Sequence, residues 1–508
     1  MRPMRQRAAT LAGGVILGAL ALAAAPAGLA LGAATAGTTP AGTAAARVSL
    51  PLEIPGTAAL NKGGAAVAGT MQCTSPGNCT TDGIYATAEV QSYQYHYSVF
   101  IDQQVRGRWG RAFELPGMTT LNRGRNASPA DLSCPAPGYC TEVGYYTNAA
   151  GNEVPYTAIE VRGRWHQAGP ISSVAAFGSG GYAAAGKVSC TRPGDCTVVG
   201  NYSDKSGHMQ VFAVNEYNGR WRKAIAIASV AKLNTGGYAL PSAVSCTAPG
   251  DCTVGGSYKT SGSSIRQAFI VTETNGGWGT ATQLPGLAAL SSGNGSEVQA
   301  LSCPAAGDCT AVGFYGDSAS NNHPFVVDET AGQWGAAAPL AGMSALNKAG
   351  AGELDYLSCA SAGNCTAGGI EGINDGYNER GGGQPLVATE TAGHWGSAQL
   401  IPGMARLNAG PDGWVTSLSC AAPGDCAAGG TFGIGQNGQR IYSYGAFLVF
   451  QVHGKWQTVG YLPGLHALNK GLNAEITSVS CPAVGRCSAG GSYADARNRV
   501  QAFVVSRP

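Results

Sequence analysis

The sequence predicts an all-β fold: a single eight-bladed β-propeller of four-stranded antiparallel blades, with seven blades as the fallback if one unit packs elsewhere. Three observations predict it. All 16 cysteines fall into eight C-x5-C pairs whose starts lie 56, 57 or 61 residues apart. Each pair is followed by the same succession of short β-rich segments and glycine turns. The repeat is also out of phase with the chain ends, so that the first segment supplies what the last unit lacks.

At the N-terminus, Arg2, Arg5 and Arg7 precede an apolar stretch from Leu11 to Leu31 that Gly13, Gly14 and Pro26 interrupt. The small residues Ala34-Thr35-Ala36 follow, and residues 1–36 therefore read as a secretory signal rather than an anchor. Residues 37–46 are a Pro/Ala/Thr-rich linker, and residues 47–508 form the repeat domain. Export to an oxidising compartment lets paired cysteines become disulfides. The expected bridges are Cys73–Cys79, Cys134–Cys140, Cys190–Cys196, Cys246–Cys252, Cys303–Cys309, Cys359–Cys365, Cys420–Cys426 and Cys481–Cys487. Each closes a very short loop, for which chain entropy supplies only about 2 kcal/mol, so the main effect is to pin strand register. The chain carries 31 Lys plus Arg against 29 Asp plus Glu, which is no footprint for nucleic acid or an acidic membrane. The expected product is a secreted, extracellular monomer with no cofactor or metal and no membrane insertion once the signal is removed.

Aligned on the cysteines, the unit reads V-x-S-C-x-x-P-G-D-C-T-x-x-G-x-Y, a variable loop, A-F-V-V-x-E-x-x-G-x-W-G-x-A, then L-P-G-x-x-A-L-N-x-G. In the fifth unit, Leu301-Ser302-Cys303 and Cys309-Thr310-Ala311-Val312 flank one turn, and Phe325-Val326-Val327 and Trp334-Gly335-Ala336 flank another. From each repeat tryptophan (Trp109, Trp165, Trp221, Trp278, Trp334, Trp395, Trp456) to the next first cysteine is always 25 residues. Nine residues before each stands Phe100, Tyr156, Phe212, Phe269, Phe325, Leu386 or Phe447, a register suited to core between stacked sheets. Phe503 takes this position in the last unit, whose tryptophan would fall beyond Pro508. Counting back 25 residues from Cys73 reaches Val48, and the segment from Val48 to Gly56 matches the missing fourth strand and its L-P-G continuation. The first strand is thus expected to complete the last blade.

On these repeats the chain resembles secreted bacterial β-propeller repeat proteins, over about residues 47 to 508. The E-x-x-G-x-W turn is distantly similar to the Asp-box of sialidase-type propeller repeats, from which it departs in the acid and in the spacing from glycine to aromatic. Propellers host hydrolases, lyases, oxidoreductases and pure binding proteins, so the resemblance implies a fold and no single activity.

Length varies only in the loop between strands two and three, where second cysteine to tryptophan is 25 or 26 residues in units two to five and 30 in units one, six and seven. Those loops carry Tyr93, Tyr95, His96 and Tyr97; Glu371, Asp375, Tyr377, Glu379 and Arg380; and Gln436, Arg440, Tyr442 and Tyr444. In a closed ring they fall in one sector, on the face where scaffolded loops carry binding sites. Six residues before the first cysteine, at the expected channel mouth, units five to eight have Glu297, Glu353, Trp414 and Glu475. Carboxylates beside tyrosines and an off-register tryptophan suit a glycan, though a protein ligand is also compatible. The ligand-binding candidates are therefore Trp414, Tyr93, Tyr95, Tyr97, Tyr377, Arg380, Arg440, Tyr442 and Tyr444. The alternative is a glycan-processing hydrolase or lyase using Glu297, Glu353 or Glu475, since glycosidases need two carboxyl groups in different protonation states. No G-x-S-x-G, H-E-x-x-H or P-loop motif points to other chemistry. The turn residues Asp195, Asp251, Asp308 and Asp425 are expected to cap their local backbone, and the crossover asparagines to satisfy main-chain groups.

Overall fold

The computed structural model describes residues 48–508 apart from 92–93, 178–180, 292–294, 320, 348–349, 373–382, 408–412 and 438–439. The signal and linker assignments lie outside it. The described chain is an eight-bladed β-propeller, each cysteine pair owning one antiparallel sheet, and the seven-bladed fallback does not arise. In blade five the strands are Ser296–Ala305, Asp308–Gly316, Asn322–Thr330 and a fourth broken into Gln333–Trp334 and Ala338–Pro339. The fourth strand is thus weaker than the sequence pattern implies. A four-residue helical turn, Leu287–Leu290 between blades four and five, carries the chain from one blade to the next. Among the described residues no helix is long and apolar enough to cross a membrane.

All eight expected disulfides are present, and in blade three Cys190 lies directly opposite Cys196 in the ladder. The turn they close meets the turn between strands three and four. Gly332 N–H donates to the Gly307 carbonyl at 2.9 Å, and a Cβ on Gly307 (φ +74°) would lie 2.7 Å from Gly332 N, so this contact requires glycine. The turn aspartates bridge the same two turns: Asp251 Oδ1 accepts from Asn275 N–H at 2.7 Å, and Asp195, Asp308 and Asp425 make the equivalent bond. They cap the neighbouring turn, not their own hairpin. Asn78 and Asn364 keep this bond, which explains why Asn replaces Asp there. The crossover asparagines behave as expected: the Asn61, Asn122, Asn234 and Asn347 amides donate to main-chain carbonyls, and Asn469 Oδ1 accepts from Asn473 N–H. Asn408 lies outside the described residues.

The core sits between blades. Phe100, Tyr156, Phe212, Phe269, Phe325, Leu386, Phe447 and Phe503 are all fully buried. Phe325 packs with Ile270 and Leu284 of the preceding blade and crossover, so each aromatic welds two sheets. The ring closes as the offset predicts. Leu52 pairs with Val504 and Glu53 with Phe503, while Ser49 N–H donates to the Ser506 carbonyl at 2.7 Å.

The inner strands leave an unpaired main-chain edge toward the channel, and the serine of V-x-S-C covers it. Ser189 Oγ accepts from Cys246 N–H of the next blade at 3.0 Å. Ser133, Ser245, Ser358, Ser419 and Ser480 do the same for Cys190, Cys303, Cys420, Cys481 and Cys73. The serines form a belt of blade-to-blade hydrogen bonds around the channel. Ser189→Ala is expected to cost about 1 kcal/mol in urea unfolding. An unchanged midpoint would show that the belt does not hold blades together. Above the belt the inner strands of blades two to eight carry a β-bulge at the same register, as between Leu354 and Tyr356, and blade one has a wider shift between Ala68 and Met71.

Candidate functional site

The channel mouth on the loop face is built from equivalent positions of neighbouring inner strands. Glu297, Glu353, Trp414 and Glu475 stand opposite Phe314, Ile370, Thr431 and Ser492 in their ladders, and their four strands pack side by side. Their common level follows from the repeat register, which puts the three carboxyls and Trp414 at equivalent positions of adjoining strands. Glu297 is buried and its Oε2 meets Arg266 Nη1 at 2.8 Å. Burial pushes its carboxyl above the usual range, and Arg266 opposes that shift. Glu353 Oε1 accepts from Asn322 Nδ2 at 2.5 Å, and burial again raises the carboxyl. Glu475 is pushed up to about 7 by burial, with the Ser492 hydroxyl donating to Oε1 at 3.3 Å.

Asp355, two residues along from Glu353, is the bulge residue of blade six and was not singled out from the sequence. At this register in the next two blades Thr416 donates its hydroxyl to the Ile476 carbonyl, and Thr477 donates to the Ala68 carbonyl at 2.7 Å. Asp355 thus occupies a position that elsewhere supplies a donor. Burial, then the charges of Glu353 and Glu297, drives its carboxyl well above the ordinary value. These are the terms that keep one of several nearby carboxyls protonated at neutral pH.

The aromatic part of the site is partly as expected. Trp414 is half-buried and meets Tyr444 edge-on, with ring centroids 6.0 Å apart at 62°. Tyr444 belongs to the strand Arg440–Val452, which with Asp425–Asn437 forms a hairpin extended beyond its blade. A second extended hairpin, Asn78–Gln91 with Gln94–Val105, carries Tyr95 and Tyr97 with centroids 5.7 Å apart. Blades seven, eight and one are consecutive around the ring. Tyr93, Tyr377, Arg380, Asp375 and Glu379 lie outside the described residues. Arg440, Tyr442 and Gln436 are placed in their strands only, their side chains falling outside the described part.

Sequence reasoning missed the other arc of the mouth. Tyr182 and Tyr238 bridge to Glu153 and Met209 of the preceding blades, and the Lys259 ammonium lies 5.1 Å from the Tyr238 ring centroid. Both tyrosines are eight residues before a first cysteine, a register that shows the pattern once read beside the one six residues before. Also missed were Asp82 and Glu142 between blades one and two, both fully buried. Their signal was present, because other blades have Val, Ala, Gly or Thr at these positions. Among the described residues no group of three or more His, Cys, Asp or Glu side chains is arranged to hold a metal ion.

Aromatic faces and polar groups converging on one opening can bind a ligand that is apolar on its ring faces and polar at its edge. No protein-family model matches the chain, and no curated protein sequence matches it. Solved structures are similar in outline. Sqt1 from Chaetomium thermophilum is 11% identical over 87% of this chain and 97% of its own, with a TM-score of 0.46. An ulvan lyase, described as a new polysaccharide lyase family, is 10% identical over 73% of this chain and 90% of its own, with a TM-score of 0.40. A Hadza microbial sialidase is 9% identical over 89% of this chain and 68% of its own, with a TM-score of 0.36.

Proposed function

We propose that the protein is a secreted, disulfide-stapled propeller that binds an extracellular glycan at the channel mouth. One observation carries the reading: the Trp414–Tyr444 pair stands at the same level as Glu297, Glu353 and Glu475 on adjoining inner strands. A sugar ring offers an apolar face to the aromatics and hydroxyls to the carboxyls and amides. Burial raises all three carboxyls, Glu475 to about 7, and a protonated carboxyl can donate to a hydroxyl as well as accept from one. The disulfide in every blade supports export to an oxidising compartment. The molecule acts as a monomer in this reading.

A glycan and polysaccharide array with the protein and its Trp414→Ala variant tests the proposal. The variant should bind at least tenfold more weakly, about 1.4 kcal/mol. Equal binding by both would sink the site. The neighbouring carboxyls Glu353 and Asp355, both raised by burial and Asp355 further by the Glu353 charge, support a second reading, a hydrolase or lyase in which one group is protonated and the other ionised. Under it, Glu353→Gln abolishes product release from a bound polysaccharide while leaving binding within a few-fold.

A further inference from the structure

The loop-face end of blade seven differs from blade four at three positions and from the glycine of several blades at a fourth, and all four line one cleft of about 270 Å³. In blades one, four and eight a tyrosine near the end of strand two sits against a polar residue just before the crossover. The Tyr258 hydroxyl accepts from Gln283 Nε2 at 2.9 Å, the Tyr493 hydroxyl donates to Glu53 Oε2 at 2.9 Å, and Tyr85 adjoins Glu114 and Ser98. In blade seven the tyrosine is Phe432 and its partner is Tyr461, with rings edge-on at 5.7 Å. The facing residue on strand three, glutamine in Gln210, Gln267, Gln384 and Gln501, is here Gly445, where a Cβ would lie 2.4 Å from Phe432. Hydrogen-bonding groups are thus exchanged for aromatic surface, and the space they fill is left open.

The fourth departure is the most costly to the fold. Leu472 has φ +56°, a backbone that bulky side chains seldom adopt. The conformation is imposed by the blade-to-blade latch, in which Tyr444 N–H donates to the Leu472 carbonyl at 3.0 Å, as Met209 N–H does to Gly237 and Val500 N–H to Gly64. Gly64, Gly181, Gly237 and Gly350 take this position in other blades, and Arg125 in one. Leucine gains little burial there, since it is 43% exposed, yet it forms a wall of the cleft. A strained, exposed apolar side chain aimed at an opening points to a ligand. Tyr461, 67% exposed, presents an aromatic face beside it.

No Asp, Glu, Lys or Arg lines the cleft, and its polar groups are the Asn469 amide, the Tyr461 hydroxyl and the His466 ring. An apolar cavity of about 150 Å³ already takes benzene, so this volume suits one or two fused rings. We propose that the cleft is a binding site for an uncharged aromatic ring system of one or two rings, separate from the channel mouth. The assignment does not depend on the glycan reading.

Indole titrated calorimetrically into the full protein tests it. One saturable site is expected. Leu472→Gly should weaken binding at least fivefold while the melting temperature stays level or rises, because glycine relieves the backbone. The triple change Phe432→Tyr, Gly445→Gln and Tyr461→Gln, which installs the residues of blade four, should weaken it at least tenfold. If the triple variant does not fold, Leu472→Gly decides alone. The proposal is overturned by the absence of a saturable site, by equal affinity in Leu472→Gly, or by a Leu472→Gly variant that loses stability and keeps binding. Trp414→Ala should leave indole affinity unchanged; loss there would move the ring to the channel mouth and overturn the assignment.

Discussion

Removal of residues 48–55 is expected to destabilise the whole ring, because this segment is the fourth strand of the last blade. Its hydrogen bonds run to the far end of the chain: Ser49 N–H to Ser506, Ser506 N–H back to the Ser49 hydroxyl, and Ile54 N–H to the Ala502 carbonyl. Ile54 is fully buried in a cluster shared by Phe100 of blade one and Ala502 and Val504 of blade eight. Burying such a side chain is worth about 1.5–3 kcal/mol, and each hydrogen bond about 1 kcal/mol. The sum is on the order of 5 kcal/mol, a large share of the 5–15 kcal/mol by which domains are usually stable. The truncated chain would also expose the strand Val500–Arg507 as a free edge, which invites edge-to-edge association. Urea unfolding with light scattering should show a much lower midpoint and aggregation. A synthetic peptide of residues 48–56 added in trans should recover part of the loss by strand addition. A truncated protein with the same midpoint would mean that the ring is held elsewhere.

Asp82→Asn is expected to stabilise the protein by on the order of 3 kcal/mol at pH 8, with little effect at pH 4. Asp82 is fully buried; its Oδ1 accepts from Thr70 N–H at 2.7 Å, and its Oδ2 has no partner among the described residues. Burial pushes the carboxyl up to about 8, with the Thr70 amide and Lys187 opposing and Asp131 reinforcing. Glu142, also raised by burial and by Asp82, spends one oxygen on the Tyr156 hydroxyl at 2.8 Å. The direction of the pH effect follows. Below about pH 4 the carboxyl is protonated in both states. Between there and about pH 8 the folded protein keeps a proton that the unfolded chain releases, so stability falls as pH rises and the full loss is reached above pH 8. Asparagine mimics the protonated acid and keeps the acceptor for Thr70. Denaturation at pH 4, 6 and 8 should show the wild-type slope flattened in the variant; parallel slopes would remove Asp82 as the source.

These two expectations differ in how far they were legible beforehand. Strand exchange between Val48–Gly56 and the last blade could be read because the cysteines act as a ruler and Phe503 lacks its tryptophan. The fully buried aromatics were legible for the same reason: a large residue recurring at one register has one environment. The serine belt was not. Ser189 and Cys246 meet across two blades, and a repeat pattern does not say which neighbour a small polar residue faces. Asp82, Glu142 and Asp355 were hidden because a single blade's departure from the repeat looks like drift until the fold places it beside another. Tyr182 and Tyr238 share an offset of their own, eight residues before a first cysteine, and were passed over because they lie two residues from the register that drew attention. Glu297, Glu353, Glu475 and Trp414 were found because they share a single offset.

The spacing of each disulfide has a consequence for how the chain reaches this state. Sixteen thiols on one polypeptide could pair in a very large number of ways, and most would trap the chain. Here each cysteine's partner is six residues away, and the next pair begins 50 or more residues later. A hairpin can therefore oxidise while later blades are still emerging, with no competing thiol nearby in the chain. Isomerase action is then needed little, and the slow event is left to the one contact that cannot form early, the meeting of the first strand with the last. The spacing thus allows each hairpin to oxidise on its own, whereas closing the circle requires both ends of the chain.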